Sequence, residues 1–138
     1  MVGKYRHTVD AKGRLFVPAK LREELGDEFY VTIGLDHCLS VYTLESWQDI
    51  MARYNALPLS KARKIRLLFA NATKCEPDKQ GRFLLPADLR RFAGIDQDVM
   101  FLGQGNHAEI WNAAEYDELE QTAMDAGGIA AEMEELEF

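Results

Sequence analysis

Asp10-Ala-Lys-Gly-Arg-Leu-Phe-Val-Pro-Ala-Lys-Leu-Arg22 recurs later in the chain as Asp78-Lys-Gln-Gly-Arg-Phe-Leu-Leu-Pro-Ala-Asp-Leu-Arg90. The offset is 68, and it also brings Gly26 onto Gly94, giving eight identities over the seventeen positions from 10 to 26. One inserted residue then shifts the offset to 69. Val31-Thr32-Ile33-Gly34 meets Met100-Phe101-Leu102-Gly103, Val41-Tyr42 meets Ile110-Trp111, and Trp47 meets Tyr116. Self-similarity sustained over this length is an internal duplication.

Each copy reads the same way locally. A short strand leads into Asp-x-x-Gly, where Asp opens a turn and Gly takes the left-handed position of a bulged hairpin. A strand follows from the Arg through three apolar residues. Pro18 and Pro86 stand where a helix begins, and Gly26 and Gly94 where it stops, predicting short helices over Ala19–Leu25 and Ala87–Ala93. Two further strands are predicted around Tyr30–Ile33 and Leu39–Tyr42, and again at Val99–Leu102 and Ala108–Trp111. A unit of about 45 residues buries too little surface to stand alone. The two copies are therefore expected to share one core as a pseudo-two-fold barrel, α+β but mainly β, with both turns on one side.

The expected division is a first repeat over 4–47, a helical connection over 48–73, a second repeat over 74–117 and an acidic C-terminal helix and tail over 118–138. In the connection, Trp47, Ile50, Met51 and Tyr54 follow helical spacing. Leu57-Pro58 breaks that helix, and Ser60 is expected to cap a second one running to Thr73. Asn112-Ala-Ala-Glu115 predicts a capping box for a third helix, ended by Gly127-Gly128. The last ten residues, rich in Glu, are expected to be mobile.

The net charge of −7 argues against a nucleic-acid partner until its distribution is read. All sixteen Lys and Arg lie at or before Arg91, against eleven acids; beyond it stand twelve acids and no base. Residues 1–22 hold Lys4, Arg6, Lys12, Arg14, Lys20 and Arg22 against Asp10 alone. Only the local field meets a phosphate, so a basic face and an acidic tail coexist. Neither a signal peptide nor an apolar run long enough to span a membrane is present, which predicts a cytoplasmic location. Cys38 and Cys75 read as reduced, buried thiols.

An Arg directly after a tight turn is presented at a hairpin tip. Its planar fork takes phosphate oxygens, or O6 and N7 of guanine. The Asp four residues earlier braces it. Two readings of the pairs Asp10–Arg14 and Asp78–Arg82 stand: internal salt bridges that fix the hairpins, or arginines held for a ligand. Flanking bases favour the second. The candidate DNA-binding residues are Arg14 and Arg82 with Lys4, Arg6, Lys12 and Lys79, and Asp10, Gly13, Asp78 and Gly81 orient the turns. Base contacts specify and phosphate contacts position, so Arg14 is given the first role and the lysines the second.

The segment Gly3–Arg22, with Asp78-Lys-Gln-Gly-Arg-Phe-Leu-Leu-Pro86 and Gly103-Gln-Gly-Asn-His-Ala-Glu-Ile-Trp111, closely resembles the MraZ proteins. The resemblance covers nearly the whole chain apart from the acidic tail. It implies an AbrB-like swapped-hairpin barrel (tandem SpoVT-AbrB domains) and a bacterial transcriptional regulator, commonly a repressor of the division and cell-wall gene cluster that includes its own gene. It implies a homo-oligomeric ring on short direct repeats of double-stranded DNA at the promoter, a nucleoid association, and no cofactor, metal, membrane or small-molecule substrate. Asp10, Arg14, Asp78 and Arg82 carry over as the signature positions. The chain departs from the pattern at Met1-Val2, where Phe is usual, and at Pro77, where an apolar strand residue is usual. Proline lacks the N–H donor, which predicts a shortened first strand in the second hairpin. Arg14 is accordingly taken as the principal reader and Arg82 as a secondary contact or a structural echo.

Other functional classes fit the sequence less well. Asp10 and Asp78 could imitate a shared-proton carboxylate pair, but each has its own Arg, which favours ionised carboxylates. His7, His37 and His107 lack metal-ligand spacing, and no nucleophile-elbow, P-loop or dinucleotide fingerprint occurs. An oligomeric scaffold holding a protein partner through the acidic tail is one alternative. An AbrB-like antitoxin is another, though such antitoxins usually carry one copy and not two.

Overall fold

The computed structural model describes all residues, 1–138. Eight strands form: β1 Lys4–Thr8, β2 Arg14–Phe16, β3 Phe29–Ile33, β4 Leu39–Thr43, β5 Thr73–Cys75, β6 Arg82–Leu84, β7 Asp98–Gly103 and β8 His107–Asn112. A 3₁₀ turn at Ala19–Leu21 runs into α1 Arg22–Leu25, and α2 Leu44–Asn55 follows β4. The connection continues as α3 Leu59–Ala62, a 3₁₀ turn Arg63–Ile65 and α4 Arg66–Ala70; later come α5 Ala87–Phe92, α6 Ala113–Ala126 and α7 Ile129–Glu135. None of these helices is long and apolar enough to cross a membrane.

Six strands make one antiparallel sheet in the order β1-β7-β8-β4-β3-β5, and β2 pairs with β6 in a short ribbon. Exchanging each strand for its counterpart in the other repeat turns this order into its own reverse. The first strand of each repeat pairs with the third strand of the other, β1 on β7 and β5 on β3. This is the swap. The register places the pseudo-two-fold axis to the residue. Leu15 faces Phe83 in the ribbon, and Ser40 faces Glu109 in the large sheet; each of the four opposes its own counterpart. Reciprocal bonds flank the ribbon, Val17 N to Gly81 O at 2.9 Å and Leu85 N to Gly13 O at 2.8 Å.

The ribbon closes over one face of the large sheet, and one core is built from both copies. Leu15, Val17, Phe29, Val31 and Leu39 pack with Phe83, Leu85, Val99, Phe101 and Ile110, all buried. Phe29 meets Phe83 edge to face at 5.1 Å between ring centres. Cys38 and Cys75 are buried and free, and burial pushes both thiols up to about 12.

Pro77 shortens its strand as its chemistry requires. Val9 donates its N–H to Gln97 O at 2.8 Å, extending the pairing of β1. The corresponding position is Pro77, which has no N–H, and β5 stops at Cys75, one residue before the counterpart of Thr8; it also starts one residue after the counterpart of Lys4.

Two expectations are corrected. Ser60 is not an N-cap, and the helix does not reach Thr73. Pro58, extended at φ −60° and ψ 148°, occupies the cap and makes no side-chain bond. The segment ends at Asn71, and Thr73 is already in β5, paired with Val31; the swap requires extended chain there. The tail also forms α7, with Gly127 and Gly128 at positive φ making the turn from α6. The expected cap of α6 is half present: Asn112 accepts from Glu115 N at 3.0 Å. The Glu115 carboxylate turns instead to His37 Nδ1 at 2.6 Å.

Candidate nucleic-acid interface

The two turns lie in the ribbon layer, one at each end. In the first, Gly13 N donates to Asp10 O at 3.0 Å and Asp10 N to Arg14 O at 2.9 Å. Gly13 takes φ +82° and Gly81 +84°, a region that side chains disfavour. Asp10 Oδ1 accepts the N–H groups of Lys12 and Arg14, both at 2.9 Å, and its Oδ2 accepts Arg14 Nε at 2.7 Å. Asp78 repeats the pattern with Gln80 N and Arg82 N at 2.9 Å and Arg82 Nε at 3.0 Å. Pro77 leaves this turn intact.

Both carboxylates stay ionised. The Arg14 backbone N–H, ahead of the other donors, holds the Asp10 carboxyl down at about 2. Arg82 N–H does the same for Asp78, which is also lowered. A shared proton, as the enzyme reading requires, is opposed by this arrangement.

Each arginine commits only Nε to its aspartate. The Nη groups of Arg14 and Arg82 make no hydrogen bond within the chain, and the side chains are 34% and 24% exposed. The pair is thus both an internal bridge and a presentation device: the aspartate fixes one edge of the guanidinium, and the rest of the fork stays open. Alternation along the ribbon turns Leu15 and Phe83 inward and leaves Phe16 and Leu84 exposed. The register sets Arg14 opposite Leu84 and Phe16 opposite Arg82. The outer face of the ribbon is therefore a two-fold patch of two guanidinium groups and two apolar side chains.

Two arginines that the sequence reading aligned but left without a role join this layer. Arg90 of the second repeat lies on the first turn, where a Cβ added to Gly13 would stand 3.1 Å from its Nη2. Arg22 of the first repeat lies on the second turn, where a Cβ at Gly81 would come within 2.8 Å of its Cζ. Their Nε groups donate to Leu85 O at 3.0 Å and Val17 O at 3.1 Å. Each glycine is required by its φ, and its missing side chain lets the arginine of the other repeat lie close over the turn. The identity of positions 22 and 90 was the available signal, but only the swap shows which turn each one serves.

Lys12 and Lys79 are exposed beside their turns and make no ion pair. Lys4 and Arg6 do not join them. β1 lies on β7, beside α6, and there Lys4 Nζ bonds the Glu120 carboxylate at 2.8 and 3.0 Å. Arg6 pairs with Asp117. The Lys4 ammonium holds Glu120 below the usual carboxylate range. What remains in the ribbon layer is Lys12, Arg14 and Arg90 at one end and Lys79, Arg82 and Arg22 at the other. Six cations face two carboxylates, a positive field on a negative protein.

A family model described as "MraZ protein, putative antitoxin-like" matches the chain twice, over residues 1–69 and 68–137. Curated relatives named "Transcriptional regulator MraZ" align over most of it. The one from Thermoanaerobacter pseudethanolicus is 48% identical over 140 residues, covering 99% of this chain and 98% of its own. The one from Thermoanaerobacter sp. strain X514 is 51% identical over 121 residues, 86% and 85% of the two chains. A third, from Carboxydothermus hydrogenoformans, is 52% identical over 114 residues, 80% of each.

Proposed function

The chain belongs to the MraZ family, and from that premise we propose that it is a sequence-specific DNA-binding transcriptional regulator that grips the duplex with the outer face of its β2–β6 ribbon. The family is one of transcriptional regulators and not of enzymes. The observation that carries the reading is the pair of arginines tethered by Nε alone, two-fold related, with their Nη groups free.

A two-stranded ribbon fits the major groove of B-DNA, and a guanidinium held at a fixed tilt is prepared to bond guanine O6 and N7. Arg14 and Arg82 take that role. Lys12 and Lys79 bond phosphates on either side, while Arg22 and Arg90 brace the turns and add charge. Lys4 and Arg6, spent on α6, contribute little. By the family's pattern, the target is a set of short direct repeats at the promoter of the division and cell-wall cluster, including the protein's own gene, and the effect is repression. The working form is a homo-oligomeric ring on the nucleoid in the cytoplasm. In a ring, several modest faces act together through effective concentration, which offsets the acidic protomer.

The test is a mobility shift on the DNA upstream of the protein's own gene, at two salt concentrations. Arg14→Ala is expected to stay folded and oligomeric and to lose specific binding. Binding by the wild type should fall steeply with salt, because each neutralised phosphate releases counterions. Unchanged specific binding by Arg14→Ala sinks the assignment. Unfolding of the variant returns the Asp–Arg pair to a purely internal bridge.

A further inference from the structure

At the offset of 69, Ala62, Leu67 and Phe69 fall on Ala131, Leu136 and Phe138, so α7 is the second repeat's version of α3–α4. The two versions carry opposite charge. Arg63 and Arg66 fall on Glu132 and Glu135, and Lys61 and Lys64 have no acidic neighbour in an ion pair. They also differ in packing. Phe69 stacks on Tyr54 at 3.8 Å and leans on Trp47 at 5.4 Å, which closes α4 against α2. In the second repeat Tyr54 is replaced by Ala123, and Phe138 is 88% exposed. A groove of about 660 Å³ is left between α6 and α7, lined by Tyr116, Leu119, Ala123, Met124 and Ile129 with Glu132 at its rim. On the other version, Leu59 and Leu67 stand about two-thirds exposed among the four bases.

We propose that the α6–α7 groove of one protomer receives the α3–α4 segment of a second copy, with Leu59 and Leu67 entering the groove and Arg63 and Arg66 meeting Glu132 and Glu135. Unlike patches on one chain make a head-to-tail contact, which closes into a ring when its rotation closes. Duplex DNA is a poorer occupant for α3–α4, because a phosphate backbone gives no shelter to exposed leucines. The proposal rests on the homo-oligomeric reading above and supplies the surfaces for it.

The experiment measures mass by light scattering, without DNA, for four forms of the full chain. These are the wild type, Arg63→Glu with Arg66→Glu, Glu132→Arg with Glu135→Arg, and all four together. All four positions are exposed, and circular dichroism checks that each form is folded. Each two-residue reversal is expected to lower the mass to that of a protomer. An equimolar mixture of the two reversed forms, and the fourfold variant, should recover the wild-type mass. Unchanged mass in either reversed form overturns the proposal. So does dissociation without recovery, and so does a monomeric wild type, which would hand the groove to a different protein. Binding to a duplex carrying one box is measured in parallel. Loss of that binding by the Arg63/Arg66 form at unchanged mass assigns the bases to DNA and overturns the proposal. Failure of the wild type to bind its upstream DNA strikes the regulatory reading alone, because the masses are read without DNA.

Discussion

The two repeats build the same hairpin tip from different first strands. β1 has five paired residues and an extra bond from Val9; β5 has three and stops short of Pro77. Yet Asp78 closes its turn with the same three donors that Asp10 uses, at nearly the same distances. The tip is therefore independent of the strand that leads into it. It is held by the carboxylate's three bonds and by the glycine, with the arginine of the other repeat lying over it. A weakened edge strand need not mean a weakened DNA contact.

The strongest way to break the comparison is at the axis. Phe83→Ala is expected to cost about 3–5 kcal/mol and Leu15→Ala about 2–5 kcal/mol, read by urea denaturation. Both repeats should unfold in one transition, since they share the core; two separate transitions would refute the shared core. Next comes the comparison of the tips on DNA. Arg14→Ala and Arg82→Ala should each weaken specific binding by about 1–3 kcal/mol, the more exposed Arg14 by more, in a mobility shift on the same fragment. A negligible loss for Arg82→Ala would make the second tip structural. The exchange at positions 9 and 77 follows, comparable on the first side and small on the second. Val9→Pro should destabilise by about 1–3 kcal/mol by leaving the Gln97 carbonyl without its donor, whereas Pro77→Val should change thermal stability by about 1 kcal/mol or less, because a gained bond is offset by lost rigidity.

The smallest effect concerns pH. Asp10 is held at about 2 in the folded protein and Asp78 is also lowered, against about 3.9 unfolded. Their contribution is present above pH 4 and is lost as pH falls through the folded values. Asp10→Asn should flatten the pH dependence of unfolding between pH 4 and 2; an unaltered slope would show that the bridge contributes nothing.

The duplication, the turns and the cap of α6 were legible because they are local: Asp, Gly and Pro act on their own neighbours. Pro77 was legible for the same reason, through a missing N–H. The partners of Lys4 and Arg6 were not, since Glu120 and Asp117 lie more than a hundred residues away and meet them only after β1 has crossed to the other repeat. The swap also hid Arg22 and Arg90, each of which serves the turn its own repeat does not contain. Ser60 looked like a cap because it is the right residue type, but Pro58 begins the helix sooner.

The axis positions carry one more consequence. In a dimer of two identical chains, a residue on the symmetry axis must face itself, so any choice there is made twice. Glu109 opposite Glu109 would set two negative charges side by side, and Phe83 opposite Phe83 would crowd the centre of the core. Joining the copies in one chain lifts that constraint: Ser40 receives Glu109, and Leu15 receives Phe83. Fusion let the molecule keep the economy of a dimer while choosing large against small, and charged against neutral, at the places where a true dimer has no choice.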